Sequence, residues 1–248
     1  MNKQLIGIAR LILPLPVYDW LGTRWRGEAY CPPVGRVRFG NLRRTHPLSR
    51  EYGYDRGTPI DRYYIEKFLA ACQSDIRGRV LEVADNVYTL RFGGDRVTKS
   101  DVLHVEEGHP DTTIVADLTS ADSISDDNFD CIILTQTLQF IYDVASAVRT
   151  VHRILKPGGV ALVTLSGISQ VSGYDMERWG HYWNFTSLSA KSLFEEVFQS
   201  EKVQVDAFGN VLAATAFLFG MAVHELRPEE LEFCDDDYQL LITVRAVK

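Results

Sequence analysis

The sequence predicts an α/β fold: a seven-stranded, mostly parallel sheet with helices on both faces, preceded by an N-terminal extension. Two observations carry this. From Gly78 onward, short runs rich in β-branched residues alternate with segments of helical periodicity, the pattern of strands joined by helical crossovers. The 248 residues are 46% apolar and 24% charged, ordinary values for a packed domain, which excludes disordered, collagen-like and disulfide-scaffold chains.

Residues 1–57 read as a basic extension and residues 58–248 as the main domain. Residues 1–62 hold 11 Lys and Arg against 5 Asp and Glu, a balance of +6, which leaves −13 for the remainder. That excess suits either an anionic ligand or the carboxylates of the body. Leu5, Ile8, Leu11, Ile12, Trp20 and Trp25 form an apolar stripe that fits packing on the body or lying on a membrane surface. The run from Lys3 to Leu15 is broken by Arg10 and Pro14, is too short to span a bilayer and lacks a small-residue cleavage site after it. Residues 29–57, rich in Pro, Gly and Arg, show no periodicity and read as an ordered extended arm.

At Thr58-Pro59 the pattern changes. Thr58 suits an N-cap, Pro59 the first helical position and Asp61 the first turn, so a helix is expected to about Gln73, with Tyr64, Ile65, Phe68, Leu69 and Cys72 as its apolar stripe. Strands follow at 79–83, 96–102, 112–116, 129–134 and 160–165. Between the last two, Asp143 to Leu155 is an amphipathic helix closed by Lys156-Pro157-Gly158-Gly159. A helix at 189–198, a strand at 203–208, an apolar helix at 211–223 and a strand at 238–247 complete the chain.

Several function classes drop out. The net charge of −7 opposes general affinity for nucleic acid or anionic lipid. Cys31, Cys72, Cys131 and Cys234 lie far apart, which signals neither zinc nor a disulfide framework and fits reduced thiols in the cytoplasm. Neither a G-x-S-x-G nor a Walker A sequence is present, against hydrolase and nucleotide-phosphate readings. No metal is expected, and a homo-oligomer stays open.

A largely parallel sheet binds ligands beyond the carboxyl ends of its strands, where strand order reverses. After the first strand stand Glu82, Ala84, Asn86 and Tyr88. Asp101, nineteen residues beyond Glu82, is spaced to accept hydrogen bonds from ribose hydroxyls, with Val102 beside it. Asp117 and Leu118 follow the third strand, next to an adenine slot, and Thr135 and Gln136 follow the fourth at the cleft floor.

Leu81-Glu82-Val83, Asp101, Val115-Ala116-Asp117-Leu118, Asn128-Phe129-Asp130-Cys131-Ile132-Ile133 and Arg153-Ile154-Leu155-Lys156-Pro157-Gly158-Gly159, in this order and spacing, resemble class I S-adenosylmethionine-dependent methyltransferases of the type 11 kind. Tyr182-Trp183-Asn184-Phe185-Thr186 is similar to a segment of bacterial members linked to sugar and natural-product biosynthesis. The resemblance implies a Rossmann-like fold, S-adenosyl-L-methionine as cofactor, S-adenosyl-L-homocysteine as product and the strand-end residues above as cofactor contacts. It implies further contacts from the segment before the first long helix, where either Arg56 binds the methionine carboxylate and Tyr63 or Tyr64 closes the pocket, or Arg56 pairs with Asp55 or Asp61 and the tyrosines are core. Ala84, Asn86 and Tyr88 stand where the family has glycines; Asn86 could keep a left-handed turn, and at Tyr88 either the chain bends away or the ring stacks on the ligand.

The residues after the fifth strand supply the chemistry. Tyr174, Arg178, Trp179, Tyr182 and Trp183 read as a substrate-binding loop, polar groups among rings that can cover a sugar or a flat acceptor. His181 is the candidate general base, since histidine exchanges protons near neutral pH, and Asp175 is second. The expected activity is methylation of a hydroxyl on a small acceptor. The rival expectation is a non-catalytic methyltransferase-like module whose altered glycine loop no longer supports turnover and whose basic arm and Phe217-Leu218-Phe219 helix dock a partner.

Overall fold

The computed structural model describes residues 31–248 together with Val17, so the apolar stripe of the first 30 residues lies outside the described residues. Residues from His46 onward form one compact unit. Residues 46–57, expected in the extension, therefore belong to the body. The Leu48 and Ser49 amides both donate to the Phe219 carbonyl, at 2.7 and 3.2 Å. Gly53 runs against residues 220 and 221 so closely that a Cβ would stand 2.8 Å from the Met221 carbonyl oxygen.

Helix α1 spans Ile60–Ala71. It starts at Ile60 rather than Pro59 because Thr58 and Pro59 are held extended: the Thr58 carbonyl accepts from the Val223 amide at 2.8 Å, and Pro59 forms an isolated bridge with Ala222. Strand β1 (Gly78–Val83) is followed by a tight helical crossover and β2 (Val97–His104), then by β3 (Ile114–Val115) and β4 (Phe129–Thr135). Helix α2 (Val144–Ile154) is capped by the Asp143 side chain, which accepts from the Ser146 amide at 3.1 Å. Strand β5 (Leu155–Ser166) begins at once, taking in the expected Lys-Pro-Gly-Gly turn through a bulge opposite Asp130. Short α3 (Gly173–Arg178), α4 (Ser187–Glu195), β6 (Val203–Phe208), α5 (Val211–Leu218), α6 (Pro228–Glu232) and β7 (Leu241–Val247) follow.

The seven strands lie in the order β3-β2-β1-β4-β5-β7-β6, all parallel except β7. Side chains alternate between two cores. Ile132 and Leu134 face one, built on α2 and α4; Cys131 and Ile133 face the other, built on α1 and α5. Strand order reverses between β1 and β4, so the loops after those two strands open the cleft.

Candidate active site

The loop after β1 is organised by one carboxylate. Glu82 is 1% exposed, and its oxygens accept from the backbone amides of Tyr88 (3.3 Å) and Thr89 (2.7 Å). Burial pushes this carboxyl up to about 7 despite those bonds. Ala84 takes the left-handed conformation, φ +76°, that a glycine would adopt freely; Asn86, expected to supply that turn, does not. Asn86 instead donates to Ser100 Oγ at 3.3 Å. Tyr88 neither kinks the chain away nor stands free: its ring stacks on Phe92, and its hydroxyl accepts from Arg62 Nη1 at 3.2 Å.

Asp101 is not presented to the cleft. Strand β2 continues to His104, so Asp101 sits opposite Leu81 within the sheet and is 2% exposed. Its carboxylate accepts from Arg79 Nε (2.6 Å) and Thr113 Oγ1 (3.2 Å), with Lys99 Nζ at 3.4 Å. Burial raises its pKa, but Arg79 and Lys99 outweigh that and hold it below the usual carboxylate range. Val102 is likewise sheet interior and Leu118 a core residue. At the true end of β2, His104 Nε2 donates to the Ala84 carbonyl at 2.6 Å. Asp117 is exposed and turns back to accept from the Thr119 amide at 2.8 Å.

Beyond β4 and β5 lies a half-open cavity of about 280 Å³. Its floor is Thr135, Gln136, Ser166 and Ser169; its sides are Gln139, Phe140, Asp175 and His181; and Tyr52, Tyr54, Asp61 and Arg62 close it from α1 and the segment before it. Gln136 holds φ +51° and accepts through Oε1 from Gln139 Nε2 at 2.9 Å, leaving the buried Gln139 Oε1 without a partner. The segment bearing His181 is pinned across the strand ends, since the Tyr182 amide donates to the Gln139 carbonyl (2.8 Å) and the Phe185 amide to Ser166 (2.7 Å). Phe140 meets the His181 ring edge-on at 5.4 Å, and both ring nitrogens are buried without a partner. An unpartnered imidazole in a cavity that Asp61 and Asp175 also line can take a proton from a ligand.

Residues 69–163 match the family model described as "Methyltransferase domain". Over that segment the chain is similar to a methyltransferase domain. No curated protein matches it in sequence. Among solved structures it is similar to the N-methyltransferase NodS of Bradyrhizobium japonicum in complex with S-adenosyl-L-homocysteine, at 15% identity and TM-score 0.50, over 81% of this chain and 96% of that one. It is also similar to a SAM-dependent methyltransferase of Archaeoglobus fulgidus, at 13% identity and TM-score 0.47, over 81% and 95%. The methyltransferase fold with its 3-2-1-4-5-7-6 sheet is thus shown, and S-adenosyl-L-methionine is the cofactor of the family.

The residues present fit that cofactor. The loop after β1 keeps its left-handed turn at Ala84, and the cavity beside it offers both a carboxylate and a guanidinium to an amino-acid end. Arg56, the arginine expected there, is engaged elsewhere: its Nε donates to Glu225 at 3.1 Å and its Nη2 pairs with the same carboxylate. Tyr63 hydrogen-bonds Glu232, and Tyr64 is buried with its hydroxyl on the Leu231 carbonyl at 2.9 Å, so neither closes the pocket; Tyr52 and Tyr54 do.

Of the expected substrate loop, His181 and Asp175 line the cavity, whereas Tyr174, Arg178, Trp179, Tyr182 and Trp183 lie outside its lining. Tyr174, Trp179, Tyr182 and Trp183 are exposed rings. Arg178 lies over Tyr174 at 3.4 Å; Trp179 approaches Phe140; Tyr182 and Trp183 flank Tyr142, with the Trp183 indole donating to the Ile141 carbonyl at 3.0 Å. Asp61 and Arg62 as lining residues escaped the sequence reading. The signal was present: Asp61 stands three, four and seven residues before Tyr64, Ile65 and Phe68, so the apolar stripe runs back onto a carboxylate.

Proposed function

We propose that the protein transfers a methyl group from S-adenosyl-L-methionine to a hydroxyl of a small polar acceptor, such as a sugar or glycosylated natural product, in the cytoplasm. The observation that carries this reading is the His181 imidazole, buried and unpartnered in a cavity lined with Asp175, Ser166, Ser169, Gln136 and Gln139. Hydroxyls are the groups that so many donors and acceptors suit. The bound cofactor supplies a methyl group on a sulfonium, open to in-line displacement. His181 takes the hydroxyl proton as the new C–O bond forms; Gln139 Oε1 accepts from a neighbouring hydroxyl and holds the acceptor in line; Phe140 and Tyr52 exclude water. The exposed rings of Tyr174, Trp179, Tyr182 and Trp183 would carry the rest of a larger acceptor, with Arg178 beside them.

The test is formation of S-adenosyl-L-homocysteine from S-adenosyl-L-methionine with a panel of hexoses and glycosides, each compared with its deoxy analogue. Turnover of a hydroxylated acceptor, lost in one deoxy analogue, is expected. Binding of the product with no turnover across the panel would favour the non-catalytic reading, to which the glycine-poor loop of Ala84, Asn86 and Tyr88 lends its support.

A further inference from the structure

The cavity wall formed by the first turn of α1 carries two opposite charges that are not paired with each other. Asp61 is 8% exposed; its carboxylate accepts the Arg62 backbone amide at 2.8 Å and, among the described residues, has no other hydrogen bond and no cationic side chain within ion-pairing distance. Arg62 donates from Nε to the Tyr54 hydroxyl at 2.8 Å and from Nη1 to the Tyr88 hydroxyl at 3.2 Å. Among the described residues its Nη2 has no hydrogen-bond partner and no carboxylate is within ion-pairing distance of the guanidinium. The two tyrosines hold the guanidinium aside from its neighbour. A lone buried carboxylate is costly, and burial accordingly pushes the Asp61 carboxyl up. Both costs disappear when a ligand brings an ammonium and a carboxylate on one carbon.

We propose that Asp61 and Arg62 clamp the α-amino-acid end of the cofactor, its ammonium on Asp61 and its carboxylate on Arg62 Nη2. The clamp rests on the reading of the chain as an S-adenosyl-L-methionine enzyme and deepens it. It also gives Tyr88 a role: the side chain that replaces a loop glycine fixes the guanidinium, so groups on α1 act where a glycine loop would have let backbone approach.

Calorimetry with S-adenosyl-L-homocysteine and with 5′-methylthioadenosine, which lacks the amino-acid end, tests the clamp without any acceptor. The wild type should bind the first about 10- to 100-fold more tightly than the second. Asp61→Asn and Arg62→Met should each shrink that ratio by about tenfold while the affinity for 5′-methylthioadenosine, a check that the site is folded, stays put. An unchanged ratio in both variants overturns the clamp and leaves the enzyme reading intact. Failure of the wild type to bind either ligand overturns that reading and the clamp with it.

Discussion

Replacing Glu82 by Gln should flatten a pH dependence of stability that the wild type carries. The Glu82 carboxyl is buried beneath the loop that it organises, and its pKa rises from 4.5 to about 7, with burial as the leading cause. The folded protein therefore binds this proton more tightly than the unfolded chain does. Stability from this group is fully present below about pH 4.5, declines as the pH rises, and is gone above about pH 7. At about 1.36 kcal/mol for each pH unit separating the two values, the whole contribution is roughly 3 kcal/mol, of which roughly 2.5 kcal/mol falls between pH 5 and pH 8. Urea unfolding of both proteins across that range isolates it, because every other titrating group is shared. The stability of the wild type minus that of the variant should fall by about 2 to 3 kcal/mol from pH 5 to pH 8. Two parallel curves would show that Glu82 is already ionised in the fold, and the account of the loop would fail.

Three further outcomes follow from the geometry. Ala84→Gly relieves a left-handed alanine whose side chain is exposed, and should raise stability by about 1 kcal/mol in the same unfolding experiment after the entropy of glycine is set against the strain. Arg79→Met strips the ion pair from buried Asp101 and should cost roughly 2 to 4 kcal/mol at pH 7. Because Asp101 is depressed in the fold, the stability it contributes is lost as the pH falls through acid, so the gap between wild type and Arg79→Met should narrow below about pH 4, while binding of S-adenosyl-L-homocysteine stays unchanged. His181→Gln should lower kcat by about 10²- to 10⁴-fold with product affinity retained; an unaltered kcat would remove His181 as the base.

The sheet was legible in the sequence because burial on both faces leaves near-continuous apolar runs, and Ile132 to Leu134 or Ala161 to Leu165 have no other place to go. Strand ends were less so. Asp101 has the spacing of a ribose ligand, but spacing along the chain does not reveal where pairing stops, and β2 runs three residues past it because Val102 to His104 pair with Glu82, Val83 and β3. Arginine partners were the least legible. Arg56 and Arg62 are six residues apart in one basic segment, yet Arg56 meets Glu225, 169 positions away, while Arg62 enters the cavity. Only the fold brings residues 222–225 against Thr58 and so decides which of the two guanidinium groups is engaged.

The two left-handed residues that follow β1 and β4 bear differently on function. Both sit at the reversal of strand order, where glycine would remove the strain of φ +76° at Ala84 and φ +51° at Gln136. At Gln136 the side chain explains why it stays: its Oε1 accepts from Gln139 and orients that amide in the cavity, an arrangement that glycine would abolish. The strain at Gln136 is thus the cost of orienting an amide that lines the cavity. At Ala84 the methyl group is exposed, and nothing in the structure explains alanine over glycine there. The turn at 84 is nonetheless held in place, with Glu82 beneath the loop and His104 on the Ala84 carbonyl.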